Sequence, residues 1–365
     1  MAMVNREPEE VVQLRARLLE WYERNQRDLP WRRSRDPYAI WVSEVMLQQT
    51  RVAVVIERYK EFLERFPTLG SLALAPEQVV LGLWSGLGYY RRARMLQKAA
   101  KFVASHAQGN LPASAAELRE LPGIGAYTAA AIASIAHGER VAVVDGNVER
   151  VACRLQGWDA AGRTGGAAIR HKVEGLANEL LDPGRPGDFN QALMELGATL
   201  CAPRNPQCLM CPLAALCRTR GEHKTPTRPR MLSKEVARAL AVRTGRLPGL
   251  NNREVLLEQR PETQTVMPGM WELPGLRESR VPEQDLCMTL RHAIMQVNYY
   301  VRIRTVAEED VEALTVTAGE RRWVSLNLAT GMALTGLTRK VLDRAHLLPK
   351  APVEITPPLP DENDA

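Results

Sequence analysis

The stretch from Leu121 to Asn147, LPGIGAYTAAAIASIAHGERVAVVDGN, limits the fold of this chain more than any other. It begins with a glycine-rich turn, Leu121-Pro122-Gly123-Ile124-Gly125. An alanine-rich helical pattern follows from Tyr127 to about His137, with Gly138 placed to end it. The apolar run Val141 to Val144 then delivers Asp145 just before another helix. The two turn glycines let backbone N–H groups converge on an anion with no side chain in the way. The helix start adds the positive end of its dipole. A DNA phosphate is the natural guest for such a turn, with Leu121, Gly123, Ile124 and Gly125 as its hairpin. A glycine-stopped helical hairpin inside a core is the plain alternative, and the turn alone does not separate the two.

Helical spacing continues on both sides. Residues 10–26 put Val11, Leu14, Leu18, Leu19 and Tyr22 on one face. The break at Arg27–Arg33 mixes cations with Leu29 and Trp31. It reads either as a solvated basic loop pinned by one tryptophan or as the wall of a pocket for an extruded base. Asp36-Pro37 is a capped helix start, and the helix runs through PYAIWVSEVMLQQT with Glu44 inside it. Its neighbours one turn away are Ile40, Trp41, Leu47 and Gln48, three of them apolar. Glu44 is either the edge of a buried stripe or a general acid kept protonated by desolvation. Further helices are expected over 52–66, 76–84, 91–106, 168–181 and 188–200. Between two of them, Gly86-Leu87-Gly88-Tyr89-Tyr90-Arg91-Arg92 reads as a tight turn with tyrosine in the core, or as a loop pressed on a duplex.

Asp145 precedes Gly-Asn-Val-Glu and is an N-cap by position. Amides at a helix N-terminus also favour an ionised carboxylate. The chain therefore offers two acids in opposite settings, Glu44 neutral and Asp145 charged. Cleavage of a glycosidic bond needs such a pair, one to protonate the leaving group and one to stabilise the sugar cation.

At 365 residues the chain has room for two or three domains. Forty-eight Lys and Arg against 42 Asp and Glu give +6, which allows a nucleic-acid partner without requiring one. No apolar run reaches membrane-spanning length, and MAMVNREPEE has no signal-peptide core, so a cytoplasmic protein is expected. Four of the six cysteines, Cys201, Cys208, Cys211 and Cys217, crowd into one short loop. In a reducing compartment such spacing means a metal or cluster site before disulfides, and zinc and iron–sulfur both remain open on ligand chemistry. Cys153 and Cys287 stand apart and are expected to be buried thiols.

Beyond a basic, proline-containing linker the pattern turns to strands, at 236–242, 254–259, 294–304 and 321–325. MWELPG reads as a turn, and a helix over 337–347 closes this part. The tail from Pro357 to Ala365 is acidic and expected to be disordered.

Taken together, DLPWR, WVSEVMLQQTRV, GLGYY, LPGIG, VDGN, FNQALMELG and the four cysteines resemble the MutY type of adenine DNA glycosylase, within the endonuclease III superfamily. The resemblance covers residues 10–220. WELPG resembles the start of a Nudix domain, which the MutY type carries and endonuclease III lacks. The resemblance implies a multidomain chain: an all-α helix-hairpin-helix glycosylase core with an Fe–S cluster loop over 8–220, and a C-terminal α+β Nudix-like domain over 234–350. Within the core it implies a six-helix barrel at about 38–145 and a cluster domain at about 8–37 and 146–220. A linker over 221–233 and a disordered tail over 351–365 complete the division.

The same resemblance implies roles. Glu44 protonates adenine N7 and Asp145 stabilises the oxocarbenium ion, with Tyr127 and Asn147 supporting the transition state. Leu29, Trp31, Arg32, Val52, Gln191 and Met194 line the adenine pocket. Gln49, Thr50 and Tyr89 probe the opposite strand and fill the stack. Cys201, Cys208, Cys211 and Cys217 hold one [4Fe–4S] cluster. The partner implied is double-stranded DNA carrying adenine opposite 8-oxoguanine or guanine, bound by a nucleoid-associated monomer. Three differences matter. Endonuclease III has lysine where this chain has Tyr127, so no Schiff base can form there and base removal without strand cleavage is expected. The His-x-Phe-Ser-His loop that reads 8-oxoguanine in the MutY type becomes His292-Ala293-Ile294-Met295-Gln296. His292 stays, the serine and second histidine donors are lost, and weaker discrimination against guanine is expected. LRESRVPEQDL after Gly275 lacks the acidic Nudix helix, so no magnesium-dependent pyrophosphatase chemistry is expected. The rivals are an endonuclease III-like lyase for oxidised pyrimidines and a non-enzymatic Fe–S DNA-binding sensor.

Overall fold

The computed structural model describes residues 8–106, 109–159, 166–222, 231–245, 253–276, 281–294, 296–314 and 319–348. Its helices in chain order are α1 (Pro8–Asn25), α2 (Pro37–Leu47), α3 (Val52–Arg65), α4 (Leu69–Leu74), α5 (Glu77–Leu83), α6 (Arg91–His106), α7 (Ala115–Leu118), α8 (Ala126–His137), α9 (Gly146–Gln156), α10 (Gly166–Leu180) and α11 (Pro186–Thr199). The chain divides into two units: Met1–Ala75 with Arg92–Arg228, and Pro76–Arg91 with Pro229–Ala365. The expected core over 8–220 runs through this division, because residues 76–91 group with the second unit.

In the first unit, capping chemistry sets the helix starts. The carboxylate of Asp36 accepts from the amides of Tyr38 and Ala39, and Pro37 fills the first position of α2. Helices α2 and α8 pack together and are buried over Tyr38–Met46 and Thr128–Ile135. Both are apolar nearly all round, which is why they lie inside rather than on the surface. A second cluster joins α1, α9, α10 and α11 through Leu14, Leu18, Val151, Leu176, Phe189 and Leu193. Each such side chain contributes about 1.5–3 kcal/mol on burial. Helix α2 stops at Leu47, short of the expected Thr50. Gln49 takes a left-handed φ of 56°, and Gln48–Thr50 become a turn.

Among the described residues the second unit is built on a six-stranded sheet: β1 (Leu232–Thr244), β2 (Arg253–Gln259), β3 (Trp271–Glu272), β4 (Leu286–Ile294), β5 (Val297–Val306) and β6 (Arg321–Ser325). The order is β3-β2-β1-β5-β4, with β6 on β2. Strands β1 and β5 run parallel, from Leu232↔Val297 to Ala241↔Val306, and the other pairings are antiparallel. Leu240, Val255, Leu257, Val301 and Ile303 form its core with α12 (Leu326–Ala329) and α13 (Gly336–Arg344). This matches the expected α+β second part. Three local readings change. The single strand at 294–304 is the second arm of a hairpin, since Ile294 already pairs with Val297. Trp271 and Glu272 of the supposed turn pair with Gln259 and Glu258. Cys287 is exposed: it lies on β4, where Leu290 is buried and alternate residues face outward. The tail, and the linker over 223–230, lie outside the described residues.

Candidate active site

Glu44 lies on α2 at 6% exposure. Burial pushes its carboxyl up to about 7. The Tyr127 hydroxyl and Arg32 pull the other way, and Asp145 adds to the rise. Tyr127, in the first turn of α8, donates its hydroxyl to Glu44 Oε2 at 2.6 Å and lies 3.5 Å from Met194 Sδ. Burial, and then Glu44 beside it, hold the phenol well above its ordinary range.

Asp145 caps α9. Its Oδ1 accepts from the amides of Asn147 at 2.8 Å and Val148 at 2.7 Å, and its Oδ2 accepts from Asn147 Nδ2 at 2.8 Å. The loop that delivers it is fastened from α11. Asn190 Oδ1 accepts from the Val143 amide at 3.0 Å, and its Nδ2 donates to Val141 O and Ser134 Oγ. Arg150 fixes the other side, donating to Asn147 Oδ1 at 2.9 Å, Gly197 O at 2.7 Å and Cys201 O at 2.8 Å.

Glu44, Tyr127, Asp145 and Asn147 line one cleft of about 1540 Å³. Leu29, Trp31, Arg32, Val52, Gln191 and Met194 line it too, as do Gln49 and Thr50. Residues distant in sequence thus meet at one space large enough for a nucleotide. Trp31 is held edge-on against Tyr59, with ring centres 5.5 Å apart.

Several residues that shape the cleft were not singled out from the sequence. Glu195 is almost wholly buried and accepts from Arg27 Nε at 2.7 Å and Arg32 at 2.8 Å. Burial alone would raise its carboxyl, but hydrogen bonds and charge from the two arginines outweigh it and hold it down at about 2. Arg92 donates to Val45 O at 2.6 Å, to Gln48 O and to Thr50 Oγ1 at 3.1 Å, securing the end of α2. Asn190 had a signal, its place in FNQ beside Gln191. Glu195 lies in the same FNQALMELG motif, but its arginine partners are far off in sequence; Arg92, read from the sequence within a loop pressed on a duplex, instead turns to the backbone at the end of α2.

At the hairpin turn, Gly123 and Gly125 are exposed while Leu121 and Ile124 are buried anchors. Gly123 has φ 80°, and a Cβ there would lie 2.7 Å from Met95 Cβ. Tyr89 belongs to the second unit, where it is 48% exposed with φ 48°. His292 is half-buried on β4, its imidazole lowered by burial and by Lys340. Gln296 is exposed at the following turn, and Met295 lies outside the described residues.

Cys201, Cys208, Cys211 and Cys217 line one small cavity of about 30 Å³. Burial raises the Cys211 thiol to about 11, and the other three thiols add to the rise. Arg154 donates to Cys201 Sγ at 3.3 Å, and its buried Nε has no partner among the described residues. No set of three or more His, Cys, Asp or Glu among the described residues could hold a single ion.

Residues 42–176 match the family described as HhH-GPD superfamily base excision DNA repair protein. An adenine DNA glycosylase of Homo sapiens is 50% identical over 224 residues, covering 59% of this chain and 41% of that protein. Its counterpart in Arabidopsis thaliana is 44% identical over 235 residues, covering 57% and 37%. One from Buchnera aphidicola subsp. Schizaphis graminum is 39% identical over 201 residues, covering 55% and 57%. The matched region thus spans between about two fifths and three fifths of these curated relatives. Among solved structures, a thermostable thymine-DNA glycosylase has a TM-score of 0.52 at 29% identity, covering 58% of this chain and 97% of that one. A trapped endonuclease III–DNA covalent intermediate has a TM-score of 0.50 at 24% identity, covering 59% and 98%, a likeness of fold alone.

Proposed function

We propose, for a chain whose residues 42–176 match the HhH-GPD superfamily of base excision DNA repair proteins, that it is a monofunctional adenine DNA glycosylase. Its substrate is adenine opposite 8-oxoguanine or guanine in duplex DNA. The observation that carries this reading is the pair of acids on one cleft. Glu44 is buried with its carboxyl at about 7, and Asp145 is fixed by two amides and the Asn147 side chain. Glu44 delivers a proton to adenine N7, the base leaves, and Asp145 stabilises the positive charge on the sugar until water adds. Tyr127 orients the Glu44 carboxyl, and its phenol offers no amine for a Schiff base. Gln191 supplies an amide for the adenine edge, and Leu29, Trp31 and Val52 supply apolar walls for an extruded base. Gly123 and Gly125 present amides to a phosphate.

The four cysteines line one small cavity, and their thiolates would hold one [4Fe–4S] cluster there. Its part in this reading is structural or redox-sensing rather than catalytic, since hydrolysis moves no electrons, and Arg154 supplies a cation beside the Cys201 sulfur. For the second unit we expect no magnesium-dependent hydrolysis, and weaker rejection of guanine than a Phe-Ser-His reader would give.

The test is release of adenine from duplexes carrying A opposite 8-oxoguanine, G or C, read as strand cleavage only after alkali. Cleavage without alkali, with a borohydride-trapped adduct, would favour the lyase instead.

A further inference from the structure

The Gly86–Tyr90 turn is built as part of the second unit. Gly86, Gly88 and Tyr89 have φ of 93°, 70° and 48°. For tyrosine the left-handed conformation costs about 1–2 kcal/mol, and such a conformation persists only where its surroundings enforce it. Tyr89 is 48% exposed, whereas Trp84, Ser85, Leu87 and Tyr90 are buried beneath it.

Trp84 Nε1 donates to Gly88 O at 3.2 Å within the turn, and further contacts come from residues 330–339. Tyr90 Oη donates to Leu334 O at 3.2 Å. Arg339 Nε donates to Ser85 Oγ at 2.5 Å, and its guanidinium also donates to Thr330 O at 3.1 Å. A Cβ on Gly82 would lie 2.1 Å from Gly331 O, so α5 meets this segment backbone to backbone. Helix α13, which carries Arg339, also touches the strand that carries His292. Lys340 Nζ donates to Arg291 O at 2.9 Å, and a Cβ on Gly336 would lie 3.5 Å from His292 Cε1. One short helix thus joins the β4 end to the tyrosine turn.

We propose that Arg339 is a positioning residue for Tyr89, with α13 a strut that couples reading of the base opposite adenine to the tyrosine that enters the stack. The proposal rests on the adenine glycosylase reading for its consequence, but not for its geometry. A change felt at His292 reaches Ser85 through α13, and Ser85 sits four residues before Tyr89.

The experiment uses the full chain with Arg339→Gln, Arg339→Lys, Ser85→Ala and Tyr89→Ala. In the absence of DNA, amide hydrogen exchange over residues 86–90 is expected to rise about tenfold in Arg339→Gln and Ser85→Ala, the worth of one charge-assisted hydrogen bond. Exchange over α8 is expected to stay unchanged, and Arg339→Lys is expected to recover most of the protection. In single-turnover adenine release, the ratio of rates on A opposite 8-oxoguanine and A opposite G is expected to fall in Arg339→Gln. Adding Tyr89→Ala is expected to lower that ratio no further than Tyr89→Ala does alone. Unchanged exchange over 86–90 in both single variants would overturn the positioning role. Losses that multiply in the double variant, or a parent ratio of one, would overturn the coupling. A parent that releases no adenine at all would sink the glycosylase reading, while the exchange data would still decide on Arg339.

Discussion

The hydroxyl of Tyr127 donates to Glu44 Oε2 at 2.6 Å across 83 positions of sequence. That bond favours the ionised carboxylate, while burial favours the neutral acid, and burial wins. The acid consequently rests at about 7, where it holds a proton near neutrality and can still release it.

Adenine release should therefore depend on pH through Glu44. The protonated form is the active one, so the rate is expected to be full on the acid side and to fall as pH rises through about 7. Tyr127→Phe removes the contact that lowers the carboxyl, so its falling limb is expected to move to higher pH. Single-turnover pH profiles of parent and variant check this. A limb that moves to lower pH in Tyr127→Phe contradicts the assignment.

The same group should mark stability. Its carboxyl is raised from 4.5 to about 7 in the folded chain, so the folded state binds the proton more tightly than the unfolded state between those values. Its contribution is full below 4.5 and is lost as pH climbs to about 7. Glu44→Gln is expected to remove up to about 3 kcal/mol of that decline. Urea unfolding at pH 5 and pH 8 measures it, and an equal decline in parent and variant would count against a raised carboxyl.

Glu195 predicts the opposite sign. Its carboxyl is held at about 2, below the ordinary 4.5, so its contribution is present above 4.5 and is lost as pH falls toward 2. Glu195→Gln strands Arg27 and Arg32 and is expected to cost about 3 kcal/mol. Thermal unfolding near neutral pH checks this, and a change under about 0.5 kcal/mol, typical of a surface site, would contradict the buried latch.

How much of this was legible in the sequence depends on range. Asp36 and Asp145 announce their helix starts locally, and both are caps. Glu44 was readable because its apolar neighbours lie one helical turn away. The four cysteines were readable because they sit in one loop. The Glu195 latch was not, since Arg27 and Arg32 lie 168 and 163 positions away. The alternation expected from 294 to 304 is β5 begun early, at the last residue of β4, because little turn chemistry marks the end of the first arm. The end of α2 was missed because Arg92, on another helix, sets it.

Removing one thiol should test the cluster loop. Cys208→Ser is expected to lose most of the about four irons per chain that one [4Fe–4S] cluster brings, with a lower melting temperature. Iron and acid-labile sulfide assays on parent and variant read this, and a parent holding zinc without sulfide would contradict it.

The central claim is that Glu44 is the acid that releases adenine. The most direct measurement is single-turnover adenine release from duplex DNA with A opposite 8-oxoguanine, by parent and Glu44→Gln, alongside the duplex affinity of each. The account predicts a loss of at least about 100-fold in rate, with affinity within a few-fold of the parent. Release by Glu44→Gln at the parent rate would contradict it.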